Sequence, residues 1–213
     1  MAKRLITPAA RAAYLKAITP EKNDDGVDKY ACTFVFPTES EMSPQDKAKL
    51  KDLKLAVVGK AREVYGDKAA GMIKSGKLAT PFHTDEEKYP GMGEFFTART
   101  DRKPGVVSTV PDPKNNGKPM VITNEDEIYS GMWVVGSVTV FAYDRKGKKG
   151  ISFALGNLQK VGDAERWDNR RAAEDEFASD PNASASLEST ESEDPSADAN
   201  EDSEDDLAAL LNA

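Results

Sequence analysis

The chain has 213 residues, 38% of them hydrophobic, with one cysteine, one histidine and a formal net charge of −8. A single cysteine excludes an intramolecular disulfide and a cysteine-rich zinc site, and no window approaches the ~18 apolar residues that a membrane span needs. The charge is unevenly divided: Ala172–Ala213 holds fourteen acids and no Lys or Arg, which leaves 23 acids against 29 bases, a net +6, on residues 1–171.

A basic body attracts polyanions such as nucleic acid through counterion release, and a single-sign block of this kind reads as a disordered interaction tail. Two regions are therefore expected, a body over 1–171 long enough to bury a core and an acidic tail over 172–213. One cysteine, and no apolar stretch before Pro8, point to a soluble cytosolic protein with no membrane contact.

Lys3–Ile18 mixes small residues with Tyr14, Leu15 and Ile18, so a strand and a short helix are both compatible with it. Pro20–Asp28 is a turn-rich connection. Lys29–Phe36 reads as a strand with Tyr30, Cys32, Phe34 and Phe36 on one face, which makes Cys32 a small core residue. Ser43-Pro44 opens a helix, with a Ser N-cap and Pro at the first position. Leu50, Leu53, Val57, Ala61 and Val64 supply its apolar stripe, and it stops near Tyr65-Gly66. Another turn or two fits Asp67–Lys74.

Short strands follow at Glu94–Thr100 and Val106–Val110. Met132–Tyr143 and Gly150–Val161 are long apolar runs joined by Asp144–Lys149, an arrangement that argues for an antiparallel hairpin. A short helix is compatible with Arg166–Phe177, after which the composition cannot bury enough apolar surface to order itself. Strands, one long helix, then more strands suggest a small α+β or barrel-like domain.

The Met132–Tyr143 strand has two unlike faces. One carries Met132, Val134, Gly136, Val138, Val140 and Ala142, suited to a barrel core; the other interleaves Trp133, Phe141 and Tyr143 with Val135, Ser137 and Thr139. Arg145, Lys146, Lys148 and Lys149 flank that second face. Aromatic surface beside cations is what single-stranded nucleic acid requires, because every base offers a stackable π-face and cations track the phosphates. Burial of both faces, or packing of the aromatic face on the helix, is the competing reading. Arg99, Arg102 and Lys103 form a second basic cluster, and Tyr14 is a further stacking candidate.

Enzymatic signals are thin. His83 has no second imidazole, Asp85-Glu86-Glu87 is a sparse metal set, and Gly91-Met92-Gly93 lacks the spacing of a phosphate-binding loop. No cofactor is expected, and the chain reads as a non-enzyme.

Several segments together resemble a family of bacteriophage single-stranded DNA-binding proteins, of the podovirus replication type with acidic tails. They are Lys29–Pro37 (KYACTFVFP), Thr80–Glu86 (TPFHTDE), Lys103–Val107 (KPGVV), Ile128–Trp133 (IYSGMW), Gly147–Leu155 (GKKGISFAL) and Asn157–Val161 (NLQKV). The resemblance implies an OB-fold, a five-stranded, partly open barrel that binds single-stranded DNA across one face. It also implies work in DNA replication, recombination and repair in the cytoplasm of an infected bacterium. The tail departs from the family pattern by ending on a Leu-rich plug. Acids before it (Asp202, Glu204, Asp205, Asp206) and the plug itself (Leu207, Leu210, Leu211) are the expected contacts for phage or host replication proteins. A homodimer is compatible with all of this. The competing functions are a protein-interaction or assembly factor, a virion structural protein with a solubilising tail, and, more remotely, a nuclease using Asp85, Glu86 and Glu87.

Overall fold

The computed structural model describes residues 3–22, 26–145 and 147–167. In chain order the strands are β1 (Arg4–Ile6), β2 (Ala10–Lys22), β3 (Asp28–Pro37), β4 (Leu78–Ala79), β5 (Met92–Thr100), β6 (Val106–Asp112), β7 (Lys118–Val121), β8 (Trp133–Arg145) and β9 (Lys148–Gly162). Two helices, α1 (Pro44–Tyr65) and α2 (Ala69–Lys74), lie between β3 and β4. No helix among the described residues is long and apolar enough to cross a membrane.

The pairings close into a ring. β8 pairs with β2, β2 with β3, β3 with β5, β5 with β9, and β9 returns to β8; every contact is antiparallel except β5–β9. The β2–β8 and β5–β9 seams each hold only two residue pairs, so the ring is tight on three sides and thin on two. This is the OB-fold arrangement expected from the sequence resemblance. β6 and β7 lie outside the ring as a flanking hairpin: β6 takes the edge of β9 at Leu158 and Gln159, beyond the stretch that β5 occupies.

Alternation explains the core. Cys32, Phe34 and Phe36 of β3, Phe96 and Ala98 of β5, Val134 and Val138 of β8, and Ile151, Phe153 and Leu155 of β9 are buried together. Phe96 meets the Phe34, Phe36, Phe82 and Phe153 rings at centroid distances of 4.6–5.7 Å. Burial raises the Cys32 thiol pKa well above its ordinary value, so this cysteine is an inert packing group. The α1 stripe narrows to Leu53, Val57 and Ala61, which join the same core. Its start is fixed by Ser43, whose Oγ accepts from the Asp46 amide at 3.1 Å, a cap worth about 1 kcal/mol.

The structure extends several expected elements. The first region is strand, not helix, and β2 runs through Pro20 to Lys22. The hairpin loop between β8 and β9 shrinks to residues 146–147, because Asp144 pairs with Lys149 and Arg145 with Lys148. β4 and β7 carry too few residues to show a period. The expected helix over Arg166–Phe177, Lys146 and the whole of the acidic tail with its partner-binding residues lie outside the described residues, except that Arg166 and Trp167 are not helical.

Candidate nucleic-acid interface

The outward-facing residues of β2, β3 and β5, with the start of β8, line up in three rungs. Phe95, Val35, Arg11 and Trp133 form the first; Thr97, Thr33 and Ala13 the second; Arg99, Ala31 and Lys16 the third. The Thr33 and Thr97 hydroxyls bond each other at 2.7 Å. Over this face lie Tyr89, from the turn before β5, and Trp167, from the segment after β9. Together with Ala13, Val35, Met92 and Phe95 they make a small apolar cluster separate from the barrel core.

Tyr14 owes its position to a break in the ladder. The β2–β3 register shifts between Ala13 and Lys16, and Tyr14 adopts φ 46°, which side-chain-bearing residues rarely do. A bulge of this kind re-aims a side chain. Here it leaves the Tyr14 ring 60% exposed on the barrel surface. The Lys88 ammonium sits 4.6 Å from the Tyr14 ring centroid and 5.6 Å from that of Tyr89.

The result is a groove in two contiguous parts, about 630 Å³ on the Trp167 side and about 360 Å³ on the Arg99 side, with Tyr14, Lys16, Lys88 and Tyr89 lining both. Glu21 is the single acid among the described residues lining it. Aromatic faces alternate with cations along its length.

The Trp167 end is held by the segment that follows β9. Lys160 pairs with Asp163 at 2.7 Å, and the Tyr129 hydroxyl donates to Asp163 at 2.8 Å. These two hydrogen bonds, Lys160 first, hold the Asp163 carboxyl below its ordinary pKa. The Trp167 amide donates to the Ser130 carbonyl at 2.9 Å, and Arg11 donates to the Glu165 and Gly131 carbonyls. Gly131, at φ 105°, is required: a Cβ there would collide with the Glu165 carbonyl and the Trp167 amide. The Arg11 guanidinium lies 4.4 Å from the Trp167 ring and 5.6 Å from the Trp133 ring. Burial lowers the Arg11 pKa, with Glu165 and Tyr129 opposing, and it stays a cation.

The residues singled out in the sequence fall into three groups. Trp133 stands beside Arg11 at the groove's end, while Tyr14 and Arg99 line the groove itself. Phe141 and Tyr143 lie near the far end of β8, about 26 and about 33 Å along the strand from Trp133 at ~3.3 Å per residue. Their rings are 6.5 Å apart on the outer face, and Tyr143 lies flat over Gly150, where any Cβ would strike the ring. The barrel face therefore does not gather all three β8 aromatics into one cluster. Arg99 pairs with Ala154, which pairs with Thr139, and Ser152 opposes Phe141. Small residues on β9 thus separate Arg99 from the hairpin aromatics by about 10 Å, two strand spacings. Lys149 pairs with Asp144 at 3.4 Å, Lys148 lies in the same strand start, and Arg102 and Lys103 are exposed just past β5.

Sequence reasoning missed Arg11, Lys16, Lys88, Tyr89, Phe95 and Trp167. The Lys88-Tyr89 and Arg166-Trp167 dipeptides, cation next to aromatic, were the available signal. Asp85 and Glu86 accept the Lys88 and Gly91 amides at 3.0 and 2.8 Å, so both shape the turn that delivers Tyr89. Among the described residues no group of three or more His, Cys, Asp or Glu is placed to hold a metal.

No curated protein sequence matches the chain. Among solved structures, the single-stranded DNA-binding protein of bacteriophage Enc34, in complex with ssDNA, is similar with a TM-score of 0.58 at 20% identity, over 78% of this chain and 89% of that one. A C-terminal truncation of the same protein gives 0.55 at 20% identity, over 77% and 88%. Gp2.5, a single-stranded DNA-binding protein encoded by bacteriophage T7, gives 0.54 at 14% identity, over 84% and 94%. At these identities the structural likeness establishes the fold. The family model described as Enterobacter phage Enc34, ssDNA-binding protein matches residues 3–188. The chain belongs to that family of phage ssDNA-binding proteins.

Proposed function

We propose that this protein coats single-stranded DNA without sequence preference and does no covalent chemistry. The observation that carries the reading is the groove on the outer face of β2, β3 and β5, where Tyr14, Tyr89 and Trp167 stand among Lys16, Lys88 and Arg99, with Arg11 against the Trp167 ring. Rings stack on bases of any identity and cations neutralise phosphates. A strand leaving the groove at Arg99 meets the small residues of β9 and then Phe141 and Tyr143, with Arg102, Lys103, Arg145, Lys146, Lys148 and Lys149 as the basic margin. Trp133 supports Arg11 at the opposite end. The family relationship supports service in phage DNA replication, recombination and repair in the host cytoplasm.

The tail has a part in this reading. Trp167 lines the groove, and the chain passes from it within a few residues into the stretch that holds fourteen acids. A tethered polyanion competes at high effective concentration. The Leu207–Leu211 plug and the acids before it remain for partner proteins, with the body over 1–171 carrying the DNA site.

Titration of labelled single-stranded and duplex oligonucleotides at two salt concentrations tests the whole reading. Single strands bind more tightly, and affinity falls with salt at a log–log slope of about −0.7 per phosphate neutralised. A preference for duplex, or salt-independent binding, overturns it. Truncation after Arg171 strengthens binding at low salt and has little effect at high salt, where the Debye length is about 8 Å or less; equal affinity at low salt removes the gating role.

A further inference from the structure

The Tyr89 hydroxyl is anomalous. The residue is 6% exposed, and its Oη has no hydrogen-bond partner. A buried polar group without a partner costs about 1–3 kcal/mol of desolvation, so a folded protein seldom keeps one unless something arrives to use it. The ring itself is well anchored, at 5.1 Å from Phe95 and stacked at 5.7 Å on Trp167. Its packing is therefore complete without the oxygen. Burial, with Tyr14 and Asp85 adding to it, pushes the phenol pKa up to about 12, so the group keeps its proton and is a donor.

Its surroundings define what it would donate to. Tyr89 borders both parts of the groove, and the Lys88 ammonium lies over the Tyr89 and Tyr14 rings together. Lys88, on a long flexible stem, reaches the Tyr89 and Tyr14 rings, and Tyr14 is set outward on its bulge. We propose that the Tyr89 hydroxyl and the Lys88 ammonium form a phosphate subsite. The backbone phosphate of one nucleotide displaces the lysine from the rings and takes the hydroxyl as a neutral donor, while that nucleotide's base stacks on Tyr14. In the free protein the Lys88 ammonium lies near both rings, and it moves aside when DNA enters. This rests on the proposed function and deepens it: one specific hydroxyl, left unpaired by the fold, is satisfied by the ligand.

A neutral donor and a cation leave different signatures, because only the cation releases counterions. Tyr89→Phe removes the oxygen and keeps the ring. Titration of fluorescent oligo(dT) with wild type, Tyr89→Phe and Lys88→Met, each at several salt concentrations, is paired with thermal melts. Tyr89→Phe melts at or above the wild-type temperature, since it deletes an unsatisfied group. It binds oligo(dT) roughly tenfold or more weakly, as expected for loss of a hydrogen bond to a charged group, with an unchanged salt slope. Lys88→Met also binds more weakly, and its slope is shallower by about 0.7. Wild-type affinity in Tyr89→Phe overturns the proposal, and so does a lowered melting temperature, which would mean the hydroxyl has a structural partner. A salt slope that falls in Tyr89→Phe as in Lys88→Met overturns it too, by showing that the lysine alone carries the effect. Failure of the wild type to bind oligo(dT) is a different result and removes the proposed function itself.

Discussion

Two aromatic and basic surfaces sit on one barrel, and they differ in how they are made. On the β8–β9 hairpin, Phe141, Tyr143, Lys148 and Lys149 come from one continuous stretch, lie on a two-stranded ribbon, and are partly tied to it by Gly150 and Asp144. In the groove, Tyr14, Lys16, Lys88, Tyr89, Arg99 and Trp167 come from four separate parts of the chain and line a concave, partly apolar floor, with Arg11 packed against the Trp167 ring. Concavity matters because a base buried between rings loses more water than one laid on a ribbon, and cations above a low-dielectric floor act more strongly on phosphates. The hairpin is legible in the sequence; the groove is the site we propose for DNA.

Each prediction attacks that ranking. The largest effect is expected from the double substitution Lys88→Glu and Arg99→Glu. It loses two phosphate contacts and introduces repulsion, so ssDNA affinity at low salt falls by more than a hundredfold and the salt slope is shallower by about 1.4. The same reversal at Lys148 and Lys149 has a smaller effect, as Lys149 already has a carboxylate partner. Equal losses from the two pairs would show that hairpin and groove share the strand equally.

Next in size is the loss of one stacking ring. Tyr14→Ala costs on the order of 1–3 kcal/mol of ssDNA affinity and leaves the melting temperature nearly unchanged, because the ring is 60% exposed and outside the core. Phe141→Ala, at 39% exposure on the hairpin, costs less in binding by the same fluorescence titration. The reverse order would make the hairpin the primary platform.

The smallest effect is in alkali. Tyr89 has its pKa raised from 10.0 to about 12 on folding. A raised folded-state pKa contributes stability that is complete below about pH 10, where the unfolded chain also keeps its proton, and is lost as pH climbs toward 12. Wild type therefore loses stability across that window, and denaturant melts of Tyr89→Phe lose less of it. Identical pH profiles would mean the Tyr89 ring is as solvated in the fold as in the unfolded chain.

How far the sequence reveals these features depends on the range of the interactions that make them. Cys32, Phe34 and Phe36 alternate, and the pleat turns that alternation into a buried face without outside help. Ser43-Pro44 starts α1 and Gly66, at φ 58°, ends it through bonds within a few residues. The β8–β9 hairpin follows from two apolar runs and a glycine. The Tyr129-Ser130-Gly131 segment is visible as a motif, yet its work, seating Asp163–Trp167, appears only when residues more than thirty positions apart come into contact.

The sequence by itself determined a basic, barrel-forming body with an acidic extension and the likeness to phage ssDNA-binding proteins, because charge partition, periodicity and caps act locally along the chain. Only the tertiary structure decided where the rings and cations converge. Tyr14 points outward because a register shift places a bulge there, and Arg99 shares the groove with Lys16 because β3 sets both in one rung. Trp167 reaches Tyr89 because Gly131 leaves room for the backbone to cross. Strand register, bulge position and close backbone approach are collective properties of the closed sheet, and no single segment encodes them.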